Sequence, residues 1–514
     1  MQQTRSRPGT ALPEATATST SNTNAKVKND GRRRMPHQRD EAPDDQNAKP
    51  RSVIKQAPSD IERGPVDTDL HNQPGVAALQ PRAGAPWAAL CLAAAIAPVL
   101  AQTTQYPTGF GPNPTLPAPQ KSLIPTLNVA PVERWKDGER PLVPPGFTVS
   151  AYARGLDHPR WLYVLPNGDV LVAETNAPPQ PDDAKGIKGM IFRQQQKKAG
   201  AGTESANRIT LLRGLDSNGQ AQSRSVFLKD LHSPFGIALV GNELYVADTD
   251  AVLRFPYQAG QSAISASGTK VMDLPAGPLN HHWTKNLIAS PDGAYLYVTV
   301  GSNSNAAENG IDQEDGRAAI WQLERATGKA RLFATGLRNP NGLGWEPQTK
   351  VLWTAVNERD ELGNDLPPDY MTSVKDGGFY GWPYSYYGQH VDDRVKPQKP
   401  ELVARALVPD YALGGHTASL GLAFYEGSLY PATYQGGVFI GQHGSWNRKP
   451  ASGYKVIFIP FANGRPSGPP QDFVSGFLAP DGKARGRPVG VAVDRQGALL
   501  VADDVGNIVW RVAR

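Results

Sequence analysis

The chain has 514 residues, 20% of them charged, and a formal net charge of +5, which gives little reason to expect nucleic-acid binding because such binding needs basic residues gathered on one face. The single cysteine, Cys91, excludes an internal disulfide framework, a multi-cysteine zinc site and a C-x-x-C-H haem attachment. With 52 glycines and 47 prolines, the composition favours a turn-rich β protein over a helical one.

The N-terminal part of the chain divides into three segments. Residues 1–82 are polar and lack an apolar period, so they are predicted to be a disordered extension. Residues 83–101 contain the apolar run "APWAALCLAAAIAPVLA", which has the short length and small-residue end of a secretory signal peptide, although a membrane anchor is the alternative. A proline-rich linker is predicted at 102–143. We therefore expect a periplasmic or secreted protein, with anchoring through residues 85–101 left open.

One phrase recurs through residues 144–514: a polar lead-in, a short apolar strand, a turn of Pro, Asn, Asp or Gly, and a second apolar strand. Repeats spaced roughly 50 to 80 residues apart and built from short strands are typical of β-propellers, in which packing the blades buries faces that one blade cannot bury alone. The sequence therefore predicts an all-β fold, a six-bladed β-propeller over 144–514, with a β-sandwich or two stacked barrels as the alternative. The six copies begin at Gly155, Asp230, His281, Gly336, His416 and Gly486.

The polar lead-ins are predicted to meet at one place, because the innermost strand of each blade lines the channel and the residues before it lie at the channel mouth. Several guanidinium groups around one opening favour a polyanionic ligand, since arginine pairs with carboxylates through two hydrogen bonds. A histidine among them can act as a general base near neutral pH. Solvated charges on the rim are the alternative. The residues concerned are Arg160, His281, His282, Arg338, Asn339, His416, Arg485 and Arg487. Among them, Arg160 is a candidate cofactor contact, and His281 and His416 are candidate substrate contacts.

An acidic loop, "AVNERDELGNDLPPD" at 355–369, follows the second strand of the fourth repeat. Oxygen-rich loops suit Ca²⁺, which binds carboxylates and backbone carbonyls, so Glu358 and Asp360 are candidate ligands. The spacing is not that of an EF-hand. A solvated acidic loop is the alternative.

A second polar cluster, "GQHGSWNRK" at 441–449, follows the strand "GGVFI". Arg448 and Lys449 are predicted to add positive charge to the mouth. Trp446 offers a flat face to an aromatic cofactor or a sugar ring, or packs between blades. Loops on rigid scaffolds often carry function, which favours the first role.

The phrase "GLRNPNGLGWEP", the acidic loop and then "GGFYGWPYSYYG" together resemble the soluble quinoprotein sugar dehydrogenases. Within them, "VGSNSN", "NERDELGND" and "GSWNR" are more similar to the branch of sorbosone dehydrogenases and PQQ-dependent pyranose dehydrogenases. The resemblance covers 144–514. It implies a six-bladed propeller that holds pyrroloquinoline quinone (PQQ) and Ca²⁺ over its axis.

The resemblance also implies residue roles. His282 stands where the glucose-oxidising members keep their catalytic base, and His281 would orient it or contact substrate. The remaining implied roles concern the cofactors. Arg338 and Asn339 would contact the quinone, the carbonyls of Asn357 and Glu358 would bind Ca²⁺, and Arg487 would bind a PQQ carboxylate. Arg448 or Lys449 would replace the family's cofactor-binding lysine.

Two departures from that pattern bear on the base and the metal. The glucose-oxidising members have Gly-Asp after the "YVTV"-like strand, where the Asp supports the base, whereas this chain has Gly301-Ser302. A neutral serine cannot stabilise an imidazolium as a carboxylate does. The Gly-Pro of the family's Ca²⁺ turn is Asn357-Glu358 here, which ligation by carbonyl oxygens tolerates.

The expected function is PQQ- and Ca²⁺-dependent oxidation of an aldose, pyranose or sorbosone-type sugar by base-assisted hydride transfer, followed by reoxidation by an external acceptor such as a cytochrome or a quinone. Two other functions remain open. One is a non-enzymatic propeller that binds a glycan or a protein. The other is a Ca²⁺-dependent propeller lactonase.

Overall fold

A computed structural model of the chain describes residues 106–120, 128–179 and 203–514. The predicted disordered extension, 1–82, and the predicted signal or anchor segment, 83–101, lie outside the described residues. In the parts of the chain that are described, no helix is long and apolar enough to cross a membrane.

The predicted six-bladed β-propeller is confirmed: each repeated phrase forms the inner strands of one antiparallel sheet, here numbered blades 1 to 6 in chain order. Blade 1 contains Pro159–Val164, Val170–Glu174, Arg208–Arg213 and Ser223–Leu228. Blade 2 contains Ile237–Val240, Glu243–Ala247, Ala251–Pro256 and Thr269–Asp273. Blade 3 contains Leu287–Ala289, Tyr295–Val300, Ala319–Glu324 and Ala330–Thr335, with Gly378–Phe379 added in parallel at its outer edge.

The second half of the propeller is built in the same way. Blade 4 contains Asn339–Trp345, Leu352–Asn357, Pro368–Ser373, Tyr411–Gly415 and, outermost, Phe110–Gly111. Blade 5 contains Ser419–Phe424, Val438–Gln442, Lys455–Ile459 and Gln471–Val474. Blade 6 contains Pro488–Val493, Leu499–Asp503, Ile508–Ala513 and Thr148–Arg154. Outside the blades lie two short hairpins, Ser385–Tyr386 with His390–Val391 and Phe461–Ala462 with Arg465–Pro466, and short helical turns at Ile311–Glu314, Pro400–Val403 and Ala432–Tyr434.

The hairpin of blade 3 shows how the sequence produces these strands. Asp292 accepts hydrogen bonds from the Ser290 hydroxyl and from the backbone N–H of Ala294, which closes the turn. Gly293 has φ +71°, a conformation that glycine adopts without steric cost. The strand Tyr295–Val300 then follows as a run of β-branched and aromatic residues, buried over most of its length.

Glycines in the inner strands let neighbouring blades approach closely. The first strands contact one another around a closed ring. At Gly421 an added Cβ would lie 2.2 Å from the carbonyl oxygen of Val489 in the next blade, and at Gly342 it would lie 2.6 Å from that of Leu420. No side chain fits at such distances, which explains why glycine occupies these two positions.

The ring is closed by the strand just before blade 1 and the last strand of the sequence. Thr148–Arg154 pairs antiparallel with Ile508–Ala513 at the outer edge of blade 6, so the first strand of the propeller completes its last blade. Behind this sheet, Tyr430 in blade 5 donates its hydroxyl to the carbonyl of Val512 (2.7 Å) and accepts from the N–H of Leu499 (2.8 Å). Blades 5 and 6 are therefore joined at the end of the sheet opposite Asp503.

The segment 102–143, predicted to be a linker, contains residues that pack against the propeller blades. Phe110–Gly111 extends the sheet of blade 4, and Trp135 is buried and donates its indole N–H to Asp503 at 2.8 Å. Because these residues have sheet and core partners, they belong to the folded unit. Proline richness alone did not reveal this, since extended proline-rich chain can pack as well as link.

Candidate active site

The inner strands place one set of residues from every blade at the same end of the channel, called here the mouth. The start of each first strand pairs with the end of the second strand, as in Asn339 with Asn357 and Pro488 with Asp503. The residues just before the first strand and just after the second strand therefore face each other around the axis. The predicted meeting of the lead-ins follows from this register.

His282 lies at the mouth with one ring nitrogen fixed. Its Nδ1 is 2.8 Å from the carbonyl oxygen of Ser302 and 3.0 Å from the Ser302 hydroxyl oxygen. A carbonyl can only accept, so Nδ1 carries the proton and Nε2 is left with its lone pair. This is the tautomer that a general base requires.

Ser302 fixes the ring of His282 without contributing a charge. Its hydroxyl donates to the carbonyl of Ser304 at 2.6 Å, so the hydroxyl oxygen presents lone pairs to His282. Two oxygens of one residue thus accept from the same N–H. In the enzymes that the sequence resembles, the base was expected to be supported by an Asp carboxylate. Here the backbone carbonyl and the oriented hydroxyl of Ser302 take that place.

The electrostatic surroundings keep His282 neutral. Burial, the guanidinium of Arg338 and the neighbouring His281 hold the pKa of His282 well below its usual range. Gly301 makes the approach possible, because a Cβ there would lie 2.5 Å from the Cβ of His282 and 2.4 Å from the side-chain oxygen of Asn339. The structure brings His282, Arg338 and Asn339 together, as the sequence predicted.

His281 differs from its neighbour in exposure. Its side chain is exposed, and its ring lies edge-on to that of His282 with centroids 4.8 Å apart. Its backbone N–H donates to the side chain of Asn303 at 3.2 Å. His281 is therefore placed where a ligand above His282 would meet it.

Arg338 connects the mouth to the acidic loop. Its guanidinium donates to the carbonyl oxygen of Glu358 at 2.7 Å and, more weakly, to that of Asn357 at 3.4 Å. It also contacts Asn305 through both the backbone and side-chain oxygens at 3.1 Å. The two carbonyls predicted to hold Ca²⁺ therefore lie beside the arginine predicted to contact the quinone.

The acidic loop offers oxygen donors, though mostly from the backbone. Within the described ranges, no three side chains of His, Cys, Asp or Glu are arranged to hold a metal. A cation here would depend on the carbonyls of Asn357 and Glu358, each of which keeps a second lone pair. The buried Glu358 carboxylate adds an oxygen, Oε1, without a hydrogen-bond partner in the described part of the chain, and burial raises the pKa of Glu358 to about 7. This donor set fits a hard, oxygen-seeking cation.

Asp360, the third predicted metal ligand, is already engaged. Its carboxylate accepts from His416 Nδ1 at 3.2 Å and Asn447 Nδ2 at 2.6 Å, and lies 3.5 Å from Arg338. Burial opposes ionisation, but His416 and Arg338 outweigh it and hold the pKa of Asp360 at about 2. The structure thus gives Asp360 the role of joining three elements at the mouth.

His416, predicted to contact substrate, is buried beneath this junction. Its Nδ1 faces Asp360 and its Nε2 lies 2.8 Å from the carbonyl oxygen of Gly363. Burial opposes a charge on the ring, but the bond to Asp360 outweighs it and raises the pKa of His416. Since both nitrogens face acceptors, the side chain ties loops together and does not reach the open mouth.

Opposite the base, blades 1, 5 and 6 form a cationic cluster around one carboxylate, Asp504. Asp504 Oδ2 accepts from Arg160 Nη1 at 3.0 Å and His443 Nε2 at 2.9 Å, with His158 Nε2 at 3.4 Å. Burial lowers the pKa of His158 to about 4 and also lowers that of His443, so neither adds a charge at neutral pH. We call these four residues and Arg487 the anion cradle.

Arg487 is the cradle's unpaired cation. It is 4% exposed, and its Nε and Nη2 have no hydrogen-bond partner among the described residues. Its guanidinium lies over the ring of Tyr454, 4.9 Å from the centroid. A buried guanidinium without a carboxylate is costly unless a ligand supplies the anion. Arg160 Nε is likewise buried without a partner, so the cradle fits a carboxylate-bearing ligand.

The stretch 441–449 contributes to the mouth through residues other than those predicted. Arg448 donates to Asp365 and to the carbonyls of Asn364 and Pro450, at 2.6 to 3.0 Å, on the outer rim. Lys449 is exposed. The side chains from this stretch that reach the site are His443 and Asn447. Trp446 is 37% exposed, and its predicted role toward a cofactor or a sugar ring stays a prediction.

Sequence reasoning missed His158, His443, Asn447 and Asp504. Asp504 and His443 each follow the last residue of a second strand, Asp503 and Gln442, at the position that Gly301, the residue before Ser302, occupies in blade 3. Aligning the phrases on their second strands as well as on their lead-ins would have found these positions. The residues before the first strands are only half of those around the mouth, and the residues after the second strands are the other half.

Comparison with known proteins places the chain in a family. A family model described as TrAA12-like matches residues 141–375 and 400–514. An uncharacterised protein of Borreliella burgdorferi is 28% identical over 296 residues, covering 55% of this chain and 76% of that protein. A pyrroloquinoline quinone-dependent pyranose dehydrogenase of Coprinopsis cinerea is 24% identical over 360 residues, covering 61% of this chain and 44% of that protein. The chain therefore spans less than half the length of that dehydrogenase.

Solved structures show the same fold. The holo form of the pyranose dehydrogenase PQQ domain from Coprinopsis cinerea superimposes with a TM-score of 0.58 at 21% identity, covering 75% of this chain and all (100%) of that one. A calcium structure of the Trichoderma reesei family AA12 enzyme also gives 0.58, at 18% identity over 75% of this chain and 98% of that one.

Proposed function

Because this chain belongs to the TrAA12-like family, we propose that it is a PQQ- and Ca²⁺-dependent dehydrogenase that oxidises a sugar of the aldose, pyranose or sorbosone type. One observation carries the proposal: a neutral, oriented imidazole and a buried, unpaired guanidinium lie at the same mouth. A base and an anion cradle together suit proton abstraction beside a bound polycarboxylate. The names of the Coprinopsis cinerea relatives support the quinone, and the calcium structure supports the metal.

His282 and Ser302 would carry out the proton transfer. His282 Nε2 takes the proton from the substrate hydroxyl, and the two Ser302 oxygens accept from Nδ1–H of the imidazolium that results. Its low pKa favours release of that proton to solvent before the next turnover. When bound, PQQ supplies a two-electron acceptor for hydride and Ca²⁺ a Lewis acid.

Other residues hold the cofactors. Arg487 and Arg160 would bind carboxylates of PQQ, with Arg338 and Asn339 on its quinone side. The carbonyls of Asn357 and Glu358, with the Glu358 side chain, would hold Ca²⁺. An external acceptor, such as a cytochrome or a quinone, would reoxidise the cofactor.

A cavity beside the mouth has room for a sugar. It measures about 500 Å³ and is bordered by the loop 306–311 and by Glu361, Arg394 and Lys396. Glu308 on its wall accepts from the backbone N–H of Asn305, whose side chain contacts Arg338. Cavities of roughly 300 to 1,000 Å³ are usual for small-molecule sites. We propose that the protein acts in the periplasm or outside the cell, on sugars that enter here.

The proposal is tested by reconstitution of the full chain. Metal is removed, PQQ is titrated with and without Ca²⁺, and dye reduction is followed with a panel of aldoses and sorbosone. We expect Ca²⁺-dependent PQQ binding at micromolar concentrations or below. We also expect activity that His282→Ala lowers at least 100-fold, as removal of a general base does.

The matched control is His390→Ala, which removes an exposed histidine on the outer hairpin. It should retain full activity. Absence of PQQ binding with Ca²⁺ present would overturn the proposal, and so would equal activity of His282→Ala and His390→Ala.

A further inference from the structure

Lys285 occupies a mouth position but does not face the mouth. Arg338 and Arg487 directly precede the first strands of blades 4 and 6, whereas Lys285 lies two residues before Leu287, where the first strand of blade 3 begins. Unlike either arginine, it is fully buried, with 0% of its surface exposed. Lysine is almost never buried without a partner, so its surroundings call for an explanation.

The Lys285 amine is directed into its own loop. Nζ lies 3.1 Å from the carbonyl oxygen of His282, 3.2 Å from that of Trp283 and 3.4 Å from the side-chain oxygen of Asn280. Burial and nearby Arg317 lower the pKa of Lys285, and three oxygen acceptors favour the protonated amine. Charged or neutral, the amine donates to the backbone of the residue predicted to be the base.

Asn280 and Thr249 complete the contact network below His282. Asn280 donates to the Thr249 hydroxyl at 2.7 Å, and that hydroxyl donates to the carbonyl of Trp283 at 2.9 Å. Asn280 also accepts from Arg317 at 3.2 Å and has φ +25°, in a left-handed region that non-glycine residues rarely adopt. Such strain persists only where surrounding contacts hold it, and it concentrates at functional sites.

We propose that Lys285 is a positioning residue for His282. Ser302 fixes the ring at Nδ1, and Lys285 fixes the backbone at the carbonyl, so the imidazole has one orientation relative to the mouth. Among the described residues, the hydrogen bonds of the Lys285 side chain go to Asn280, His282 and Trp283 in its own loop, whereas strand pairing in blade 3 begins at Leu287. Its loss should therefore disturb the loop more than the sheet.

The first test does not depend on catalysis. The full chain is labelled with ¹⁵N-histidine, and the ring nitrogens of His282 are assigned with His282→Gln. The unaltered protein should show a single Nδ1–H tautomer at neutral pH. Lys285→Met, which keeps the length of the side chain but has no N–H, should show a mixture of tautomers or a broadened signal. A His282 signal identical to that of the unaltered protein would overturn the proposal.

The second test rests on the proposed function and measures turnover of the PQQ-loaded protein. Lys285→Met should lower kcat about 10- to 100-fold, the cost of a misplaced catalytic group, while the affinity for PQQ changes less than threefold. Thr249→Val, which removes the two hydrogen bonds of the Thr249 hydroxyl but leaves those of the Lys285 amine, should show the same change in smaller degree and covers the case in which Lys285→Met does not fold.

The control is Tyr430→Phe, which loses buried hydrogen bonds at the far end of the sheet. It should lower thermal stability without changing kcat or the His282 signal. A loss of kcat in Tyr430→Phe equal to that in Lys285→Met would mean that Lys285 is merely structural. If the tautomer changes in Lys285→Met but no variant has activity, the positioning role stands and the dehydrogenase proposal fails.

Discussion

The environment of His282 determines how its activity should respond to pH. Burial, Arg338 and His281 lower its pKa, so the base is unprotonated at and below neutral pH. A base is lost only as the pH falls through its pKa. The value of kcat/KM should therefore stay level from about pH 8 to about pH 6 and decline only in more acidic solution.

Ser302→Asp tests this account at a single residue. A carboxylate beside Nδ1 would stabilise the imidazolium and raise the pKa of His282, so the decline of kcat/KM should begin at a higher pH. Asn has nearly the same size as Asp but no charge, so Ser302→Asn should leave the dependence of kcat/KM on pH unchanged. Measurement of kcat/KM from about pH 5 to about pH 8.5 distinguishes the two. Coincident profiles would contradict the electrostatic account.

Arg487 and Arg448 form a second comparison at the residue scale. Arg487→Met should weaken PQQ binding about 10- to 100-fold, as expected for a lost charge-assisted hydrogen bond. Arg448→Met, on the outer rim beside Asp365, should change it less than threefold. Both are measured by titration of the metal-loaded protein.

The melting temperature of the apoprotein gives a second test of Arg487→Met. Because Arg487 is buried and unpaired, Arg487→Met should leave the melting temperature unchanged or raise it. A marked loss of stability would mean that contacts within the protein, such as that with Tyr454, already compensate the buried charge of Arg487, contrary to the anion cradle described above.

Individual strands could be predicted from the sequence where the pattern is local. The turn at Asp292-Gly293 and the strand after it follow from side-chain hydrogen bonding and β propensity. Phe110–Gly111 was not predicted, because a two-residue strand has no period of its own. Its place depends on Tyr411–Gly415, some 300 residues away, whose edge it covers.

The inner strands need glycine for contact between blades. Gly421→Ala would place a Cβ 2.2 Å from the carbonyl oxygen of Val489, so it should lower the free energy of unfolding by about 1–3 kcal/mol or more, as overpacked sites do. Denaturant unfolding of the full chain measures the change.

The control for that prediction is Gly241→Ala, in a turn. Gly241 has φ +60° and nothing within 4 Å of an added Cβ, so only backbone strain of about 1–2 kcal/mol should result. If both variants lose the same stability, close approach of the blades is not what requires Gly421.

Closure of the whole propeller depends on a strand far from the C-terminus in sequence. Thr148–Arg154 covers the edge of blade 6, so a chain of residues 156–514 would expose Ile508–Ala513 and open the ring. Its melting temperature should fall by roughly 10 °C or more. A chain of residues 106–514, which keeps that strand, should melt like the full chain. Equal melting of the two shortened chains would show that closure contributes little.

The sequence by itself determined the number of blades, the strand-turn-strand pattern and the fact that polar lead-ins meet at one mouth, because these follow from periods and turns that neighbouring residues encode. His282, Arg338, Asn339 and Arg487 were found in this way. The tertiary structure alone decided which groups face each other across the axis. Asp504 in blade 6 gathers Arg160 and His158 of blade 1 and His443 of blade 5, Asp360 is engaged by His416, and Lys285 turns away from the mouth. Such pairings depend on distances between distant segments, which no local pattern specifies.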